Sequence, residues 1–231
     1  MNDLPTLSIT LLTGQLRPLP DSEQQTGIYK TPVAGPLDLG STGLAGDHQG
    51  DLRVHGGIEK AVHHYPADHY TAWRAELGTL PGLTAAGGFG ENISTTGMTE
   101  HDIAVGDIFS LGSAIIQVSQ GRQPCWKLNR RFQVPDMARR VQNSGRTGWY
   151  YRVLTPGRVA PGDQLTLLDR VEPDWTLHRL WRTLYVEKMN LAELKGIAAL
   201  DVLAEGWRKY AVQRLESGRV EDWNKRLEGQ S

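Results

Sequence analysis

The sequence predicts a mainly β fold: a β-barrel with short helices over residues 1–168, followed by a small all-α unit over residues 169–231. Three observations carry that expectation. Short apolar or alternating runs recur between glycine- and proline-rich breaks. One turn phrase occurs twice, as Val105-Gly106-Asp107-Ile108-Phe109-Ser110-Leu111 and as Val159-Ala160-Pro161-Gly162-Asp163-Gln164-Leu165-Thr166-Leu167, each with Gly-Asp at a turn and an alternating strand after it. Beyond Asp169 the apolar spacing turns helical.

Taken in order, Leu7 to Thr13 is a short apolar run stopped by Gly14, and reads as a strand. Residues 18–26 are polar and turn-rich, a surface loop. Ile28 to Val33 follows, and Pro32 confines it to an edge or a strand end, so Lys30 and Thr31 lie near a loop mouth. Residues 40–60 are rich in glycine, which permits close backbone approach to a ligand or simply tight turns. Pro66 to Leu77 reads as a helix, with Pro66 at its first position, Tyr70, Trp73 and Leu77 on one face, and Gly78 as the stop. Gly87-Gly88-Phe89-Gly90 is a second glycine turn and does not match a phosphate-binding P-loop. Ala114 to Ser119 reads as a strand, Pro135 to Val141 as a short helix, and Trp149 to Leu154 as a strand. In the tail, Leu177, Leu180, Trp181, Leu184 and Tyr185 mark one helix. Asn190 with Glu193 caps a second, and Leu203, Trp207, Ala211 and Leu215 mark a third. So few apolar residues do not make a core alone, so the tail docks on the barrel or on a second copy in a homodimer.

Composition narrows the function classes. The formal charge of −1 implies no general affinity for duplex nucleic acid or anionic membranes. No stretch is long enough to span a bilayer, and the amino terminus, with Asp3 and Pro5, has no signal-like apolar run. With a single cysteine, the expectation is a cytoplasmic protein.

That cysteine, Cys125, cannot form an internal disulfide, so it is either buried filler or a working thiol. Arg122 and Lys127 flank it, and cations favour the thiolate. It stands after a strand, where loops carry chemistry. His55, His63, His64 and His69 crowd together in sequence, yet no zinc-ligand spacing is present. A Cys–His hydrolase with Cys125 and His55 or His64 lacks a protease-type context. A transition metal on Cys125 suits a soft thiolate, but one thiolate does not hold a bare ion, so the metal would arrive inside a larger cofactor.

Several pieces resemble the MOSC domain, in the pattern of its YiiM branch. They are Lys30-Thr31-Pro32-Val33, Gly43-Leu44-Ala45-Gly46-Asp47, His55-Gly56-Gly57 with Lys60-Ala61-Val62, Gly90-Glu91-Asn92-Ile93, Gly106-Asp107, Arg122-Gln123-Pro124-Cys125-Trp126-Lys127-Leu128 and Ser144-Gly145-Arg146-Thr147-Gly148-Trp149-Tyr150. They run in order from residue 7 to residue 168, and the tail resembles the three-helix domain that follows in this branch. The resemblance implies a β-barrel that binds the molybdenum cofactor, molybdopterin carrying Mo, and at family level pyridoxal phosphate binding too. It implies reduction of N-hydroxylated compounds, such as hydroxylaminopurine-type base analogues and amidoximes, with a flavin-containing reductase as electron donor. The mitochondrial amidoxime-reducing proteins look like relatives; the amino-terminal membrane anchor that they carry is not expected in this protein.

By that matching, Cys125 is the metal ligand, and Lys30, Thr31, Asp47, His55, Lys60, Asn92, Arg122 and Gln123 form the cofactor-binding set. Gln123 departs from the small hydroxyl residue of a relative. Arg122, Lys30 and Lys60 would neutralise the cofactor phosphate, and His64 or Glu91 would deliver protons. Two rivals remain open: a carrier of cofactor or sulfur on Cys125 without turnover of its own, and a cofactor-free protein whose helical tail is an interaction surface.

Overall fold

The computed structural model describes residues 4–20, 22, 24–51 and 55–229. Parts of the two predicted loops, residues 21, 23 and 52–54, fall outside the described residues, as does Asp3.

The strands are short, as their glycine and proline punctuation dictates. They are β1 (Leu7–Ser8), β2 (Thr10–Thr13), β3 (Arg17–Pro18), β4 (Gln25–Thr26), β5 (Thr31–Pro32), β6 (Leu37–Gly40) and β7 (Gly43–Leu44). After them come β8 (Val62–His64), β9 (Ile93–Ser94), β10 (Ile108–Leu111), β11 (Ala114–Gly121), β12 (Trp149–Thr155), β13 (Gly157–Val159) and β14 (Gln164–Asp169). Nine of them form one sheet in the order β1-β14-β10-β11-β12-β8-β9-β2-β5, parallel only between β8 and β9. Strand β1 sits at one edge and β2 next to the other, with Ile9 alone between them in sequence. That short link keeps the two ends of the sheet near each other, and the sheet curls into an open half-barrel. The small sheet β13-β6-β7 and the hairpin β3-β4 complete the β structure.

Helix α1 (Asp68–Leu77) starts two residues after the expected Pro66 and stops at Gly78, whose φ of 76° suits glycine. Helix α2 (Lys127–Phe132), directly after the cysteine, was not legible in the sequence; its Arg130-Arg131 pair hides an apolar face of Leu128 and Phe132. Helix α3 (Met137–Ser144) falls where a short helix was expected, shifted by two residues. In the tail, α4 (Leu177–Trp181) runs on into a π-type turn, Arg182–Val186. Then come α5 (Leu191–Ala198), α6 (Glu205–Ser217) and a further short helix, α7 (Asn224–Glu228). The Asn190 side chain caps α5 by accepting the Glu193 N–H at 3.3 Å.

The main core takes in the sheet interior, including Ile116, Val118, Trp149 and Tyr151, together with Leu180, Leu184, Leu194, Ile197 and Trp207 of the tail. Barrel and tail thus share one hydrophobic interior. Backbone bonds reinforce the seam, Leu177 N–H to Ile103 carbonyl at 2.8 Å and Ala204 N–H to Ser119 carbonyl at 2.9 Å. A second core gathers Tyr65, Tyr70, Trp73, Phe89, Leu128, Phe132 and Leu227, tying α1, α2, α3 and α7 around the second glycine turn. Among the described residues no helix is long and apolar enough to cross a membrane.

Candidate active site

Strand β11 delivers the cysteine. Its pairing with β12 slips between Val118 and Gln120, a bulge that bends the strand just before it ends. Gly121 allows the Trp207 indole to lie against the backbone: a Cβ there would come within 2.7 Å of that ring. Arg122 keeps one more ladder bond, to the Gly148 carbonyl at 2.9 Å, and the chain then turns into α2. Cys125 stands half-buried in that turn.

Two cavities meet at the thiol. An inner one of about 70 Å³ is lined by Lys30, His63, Asn92 and Arg122, among others. An outer cleft of about 1480 Å³ opens between the barrel and the tail, walled by Trp207, Tyr210, Trp223 and Arg226. His55, Lys60, Cys125, Lys127 and Tyr150 line both. Glycines let the walls of the inner cavity close up. A Cβ on Gly27 would sit 1.7 Å from the His48 carbonyl oxygen, and one on Gly50 2.1 Å from that of Gln25.

Burial pushes the thiol up. The hydrogen bond and charge of His55, the Arg122 guanidinium and the Lys127 backbone N–H more than offset it, and bring Cys125 to about 7. His55 Nε2 is 3.5 Å from the sulfur. Burial lowers Lys60, opposed by the charge of the neighbouring thiolate. Burial likewise lowers Lys30, opposed by Asp47.

Lys30 forms a buried ion pair with Asp47. Asp47 also accepts the Gly14 N–H at 2.8 Å and the Asn92 Nδ2–H at 2.9 Å. Asn92 in turn donates to the Leu12 carbonyl and accepts the His63 N–H, both at 3.2 Å. Asp47 is therefore the knot under the cavity floor, and Lys30 reaches the cavity from it. Arg122 is 5 % exposed, its Nη2 only 3.5 Å from the Phe89 carbonyl and its Nη1 without a partner. His63 Nε2 is buried and unpartnered as well.

The structure redistributes the expected site. It brings together Cys125, His55, Lys60, Lys30, Asn92 and Arg122, with Asp47 behind them. It turns others away. His63 and His64 are successive residues of β8 and face opposite sides of the sheet. His64 Nδ1 lies 3.0 Å from the Tyr151 hydroxyl and Nε2 2.9 Å from Thr95 Oγ1, and burial pushes its pKa down to about 3. Both ring nitrogens are thus engaged away from the cavity, and the ring is neutral near pH 7, so the proton role assigned to His64 does not fit its placement. Glu91 does not line the cavity either. Its carboxylate accepts the Tyr70 hydroxyl at 2.5 Å and the N–H groups of Gly87 and Phe89 at 2.6 and 3.1 Å, which holds the glycine turn in shape. Burial raises its pKa, and those donors hold the rise back. Thr31 is exposed on β5, whereas its neighbour Lys30 is buried. Gln123 lines the outer cleft, where its Nε2 donates to the Tyr185 hydroxyl at 2.9 Å.

Sequence reasoning missed His48 and Tyr150 as cavity residues, had Lys127 only as a cation flanking the cysteine, and had His63 only as one of four crowded histidines. For His63 the signal was the strand itself: where His63 and His64 are successive, one of the two must face each side.

This architecture and this lone thiol place the chain in a family. Residues 51–166 match the MOSC domain and residues 175–218 the YiiM-like three-α-helix domain; the chain belongs to the MOSC family. It is similar to protein YiiM of Escherichia coli, 38% identical over 221 residues that make up 96% of this chain and 98% of that protein. It is also similar to a Gibberella moniliformis protein called "Reductase", 40% identical over 199 residues, 84% of this chain but 35% of that longer protein. The crystal structure of E. coli YiiM superposes with a TM-score of 0.83 at 33% identity, over 97% of this chain and 99% of that one.

Proposed function

We propose that this chain is a molybdenum-cofactor-dependent reductase of N-hydroxylated compounds, with electrons from a flavin-containing reductase. The observation that carries the reading is the thiol of Cys125, drawn down to about 7 at the junction of a cationic cavity and a large cleft. MOSC domains are a molybdenum-cofactor-binding family.

The residues present fit such a group. Among the described residues no three His, Cys, Asp or Glu side chains gather, so a bare ion has no ligand set here. A single thiolate beside cations suits a metal that arrives with its own organic ligand and phosphate. Arg122 Nη1 and His63 Nε2, buried without partners, are the kind of orphaned polar atoms that a bound polar ligand satisfies. Cys125 would hold the metal as thiolate, and Arg122, Lys60 and Lys127 would balance the phosphate.

The bound cofactor supplies the two-electron reduction of the N–O bond. Overall, N–OH takes up two electrons and two protons and becomes N–H and water. His55, 3.5 Å from the sulfur and lining both cavities, is the group placed to pass a proton to the departing oxygen, the role expected of His64 or Glu91. The electron donor is supported by the Gibberella relative, in which the matched segment is a minor part of a longer chain called "Reductase".

The test is consumption of an amidoxime by wild type and Cys125→Ala, both expressed in a molybdenum-competent host and supplied with a flavin reductase. Wild type should turn over steadily and Cys125→Ala should lose at least about a hundredfold, as expected when a metal ligand is removed. Equal rates would defeat the reading. Molybdenum bound to wild type without steady-state consumption would instead favour the carrier.

A further inference from the structure

Helix α7 reaches from the end of the tail to the loop that carries Cys125. Arg226 Nη1 donates to the Pro124 carbonyl and Nη2 to Gln142 Oε1, each at 2.5 Å. The Arg226 carbonyl accepts the Trp126 N–H at 2.8 Å. One residue therefore grips the backbone on both sides of the cysteine. Leu227 adds a third hold one turn later, where its carbonyl accepts Asn129 Nδ2–H at 2.9 Å. The Leu227 side chain is itself anchored in the second core.

The loop needs those partners. Proline has no N–H to offer, and the Pro124 carbonyl lies beyond the last pairing of β11. Trp126 is the N-cap of α2 and its side chain supplies no capping bond, and its own backbone N–H finds its acceptor outside the helix, in the Arg226 carbonyl. A guanidinium is a planar fork and can bridge two acceptors at a set angle. Its second acceptor is fixed in turn: Gln142 is buried, and its carbonyl takes the Trp181 indole N–H at 2.6 Å.

We propose that Arg226 is a positioning residue for Cys125: it fixes the Pro124–Trp126 backbone so that the sulfur stays at the junction of the two cavities, beside His55. The proposal rests on the reading of Cys125 as the metal-binding thiol. It assigns a role to α7, which lies past the residues matched by the three-helix family. The 3.5 Å separation of Cys125 and His55 leaves little slack, and a loop shift of about 1 Å would end the contact.

Hydrogen–deuterium exchange on the cofactor-free full chain tests this, with Arg226→Ala, Arg226→Lys and Arg146→Ala beside wild type. Arg146 is the control for general destabilisation: it pairs with Glu76 at 2.6 Å and lies over Trp73, away from the thiol loop. Arg226→Ala should speed exchange about tenfold or more in the peptide 122–129 and leave 149–155 and 205–217 unchanged. Arg226→Lys should recover part of the protection, because an ammonium can hold one acceptor but not the fork. Arg146→Ala should leave 122–129 as in wild type. Purified from a molybdenum-competent host, Arg226→Ala should carry about threefold less molybdenum per folded chain than wild type, partly restored in Arg226→Lys. Unchanged exchange at 122–129, or acceleration spread over the whole chain, overturns the proposal, as does wild-type molybdenum content in a loosened loop. Should wild type itself carry no molybdenum, the cofactor reading falls, and the exchange data still decide whether Arg226 holds the loop.

Discussion

Cys125 shows how one residue's chemistry is assembled from distant parts of the chain. Its sulfur is partly withdrawn from water, which alone would keep it protonated. His55, Arg122 and the start of α2 reverse that. Alkylation of the cofactor-free protein with iodoacetamide should therefore show a pH midpoint near 7, and His55→Ala should move it upward. A midpoint that His55→Ala leaves in place would show that the imidazole is not the cause. His64 makes the opposite case. Its folded pKa of about 3 lies below the ordinary 6.5, so the unfolded chain takes up the proton first as acid is added. The stability that the neutral ring provides is whole above pH 6.5 and is lost as pH falls toward 3. Urea titrations across that window should show a shallower loss for His64→Asn than for wild type. An equal slope would contradict the assignment of a buried, neutral imidazole.

At the scale of elements, the glycine turns and their carboxylates are framework for the cavity. Glu91 and Asp47 each gather backbone and side-chain donors from separate segments. Asp47→Ala would leave the buried Lys30 without its counter-charge and Gly14 and Asn92 without their acceptor. The expected cost is about 3–5 kcal/mol, measured by chemical denaturation. A cost near zero would mean that Lys30 finds water. The elements differ in how far they could be read from the sequence. Helix α1 was legible, because its apolar spacing and its stop at Gly78 are local signals. Helix α2 was not: six residues with two adjacent arginines carry no periodicity to read, and its start depends on α7. The Gly87–Gly90 turn was visible as a turn, but whether Glu91 faced the cavity or the turn's own N–H groups depended on packing.

For the whole molecule, the shared core matters most. Sheet residues such as Val118 and Trp149 lie in the same cluster as Leu184, Ile197 and Trp207 of the tail. Removing the tail would uncover that interior, and the two parts should not melt apart. Calorimetry of the full chain should give a single cooperative transition, and a fragment of residues 1–168 should bind a hydrophobic dye and lack a sharp melt. Two separate transitions would show that the seam is weaker than its contacts imply. The outer cleft exists only because of this docking, since its far wall is built from Trp207, Tyr210, Trp223 and Arg226.

The amino-acid order alone determined the succession of short strands, the change to helices after Asp169, the single cysteine with its flanking cations and the family pattern around it. Those are properties of turns, spacing and neighbouring charge, which act over a few residues. Only the tertiary structure decided that His55 and His63 face the cavity while His64 faces away, that Glu91 serves a turn, and that α7 grips the thiol loop. Those outcomes rest on contacts such as Arg226 to Pro124, 102 residues apart, and a linear pattern carries no record of which distant side chain closes a given hydrogen bond.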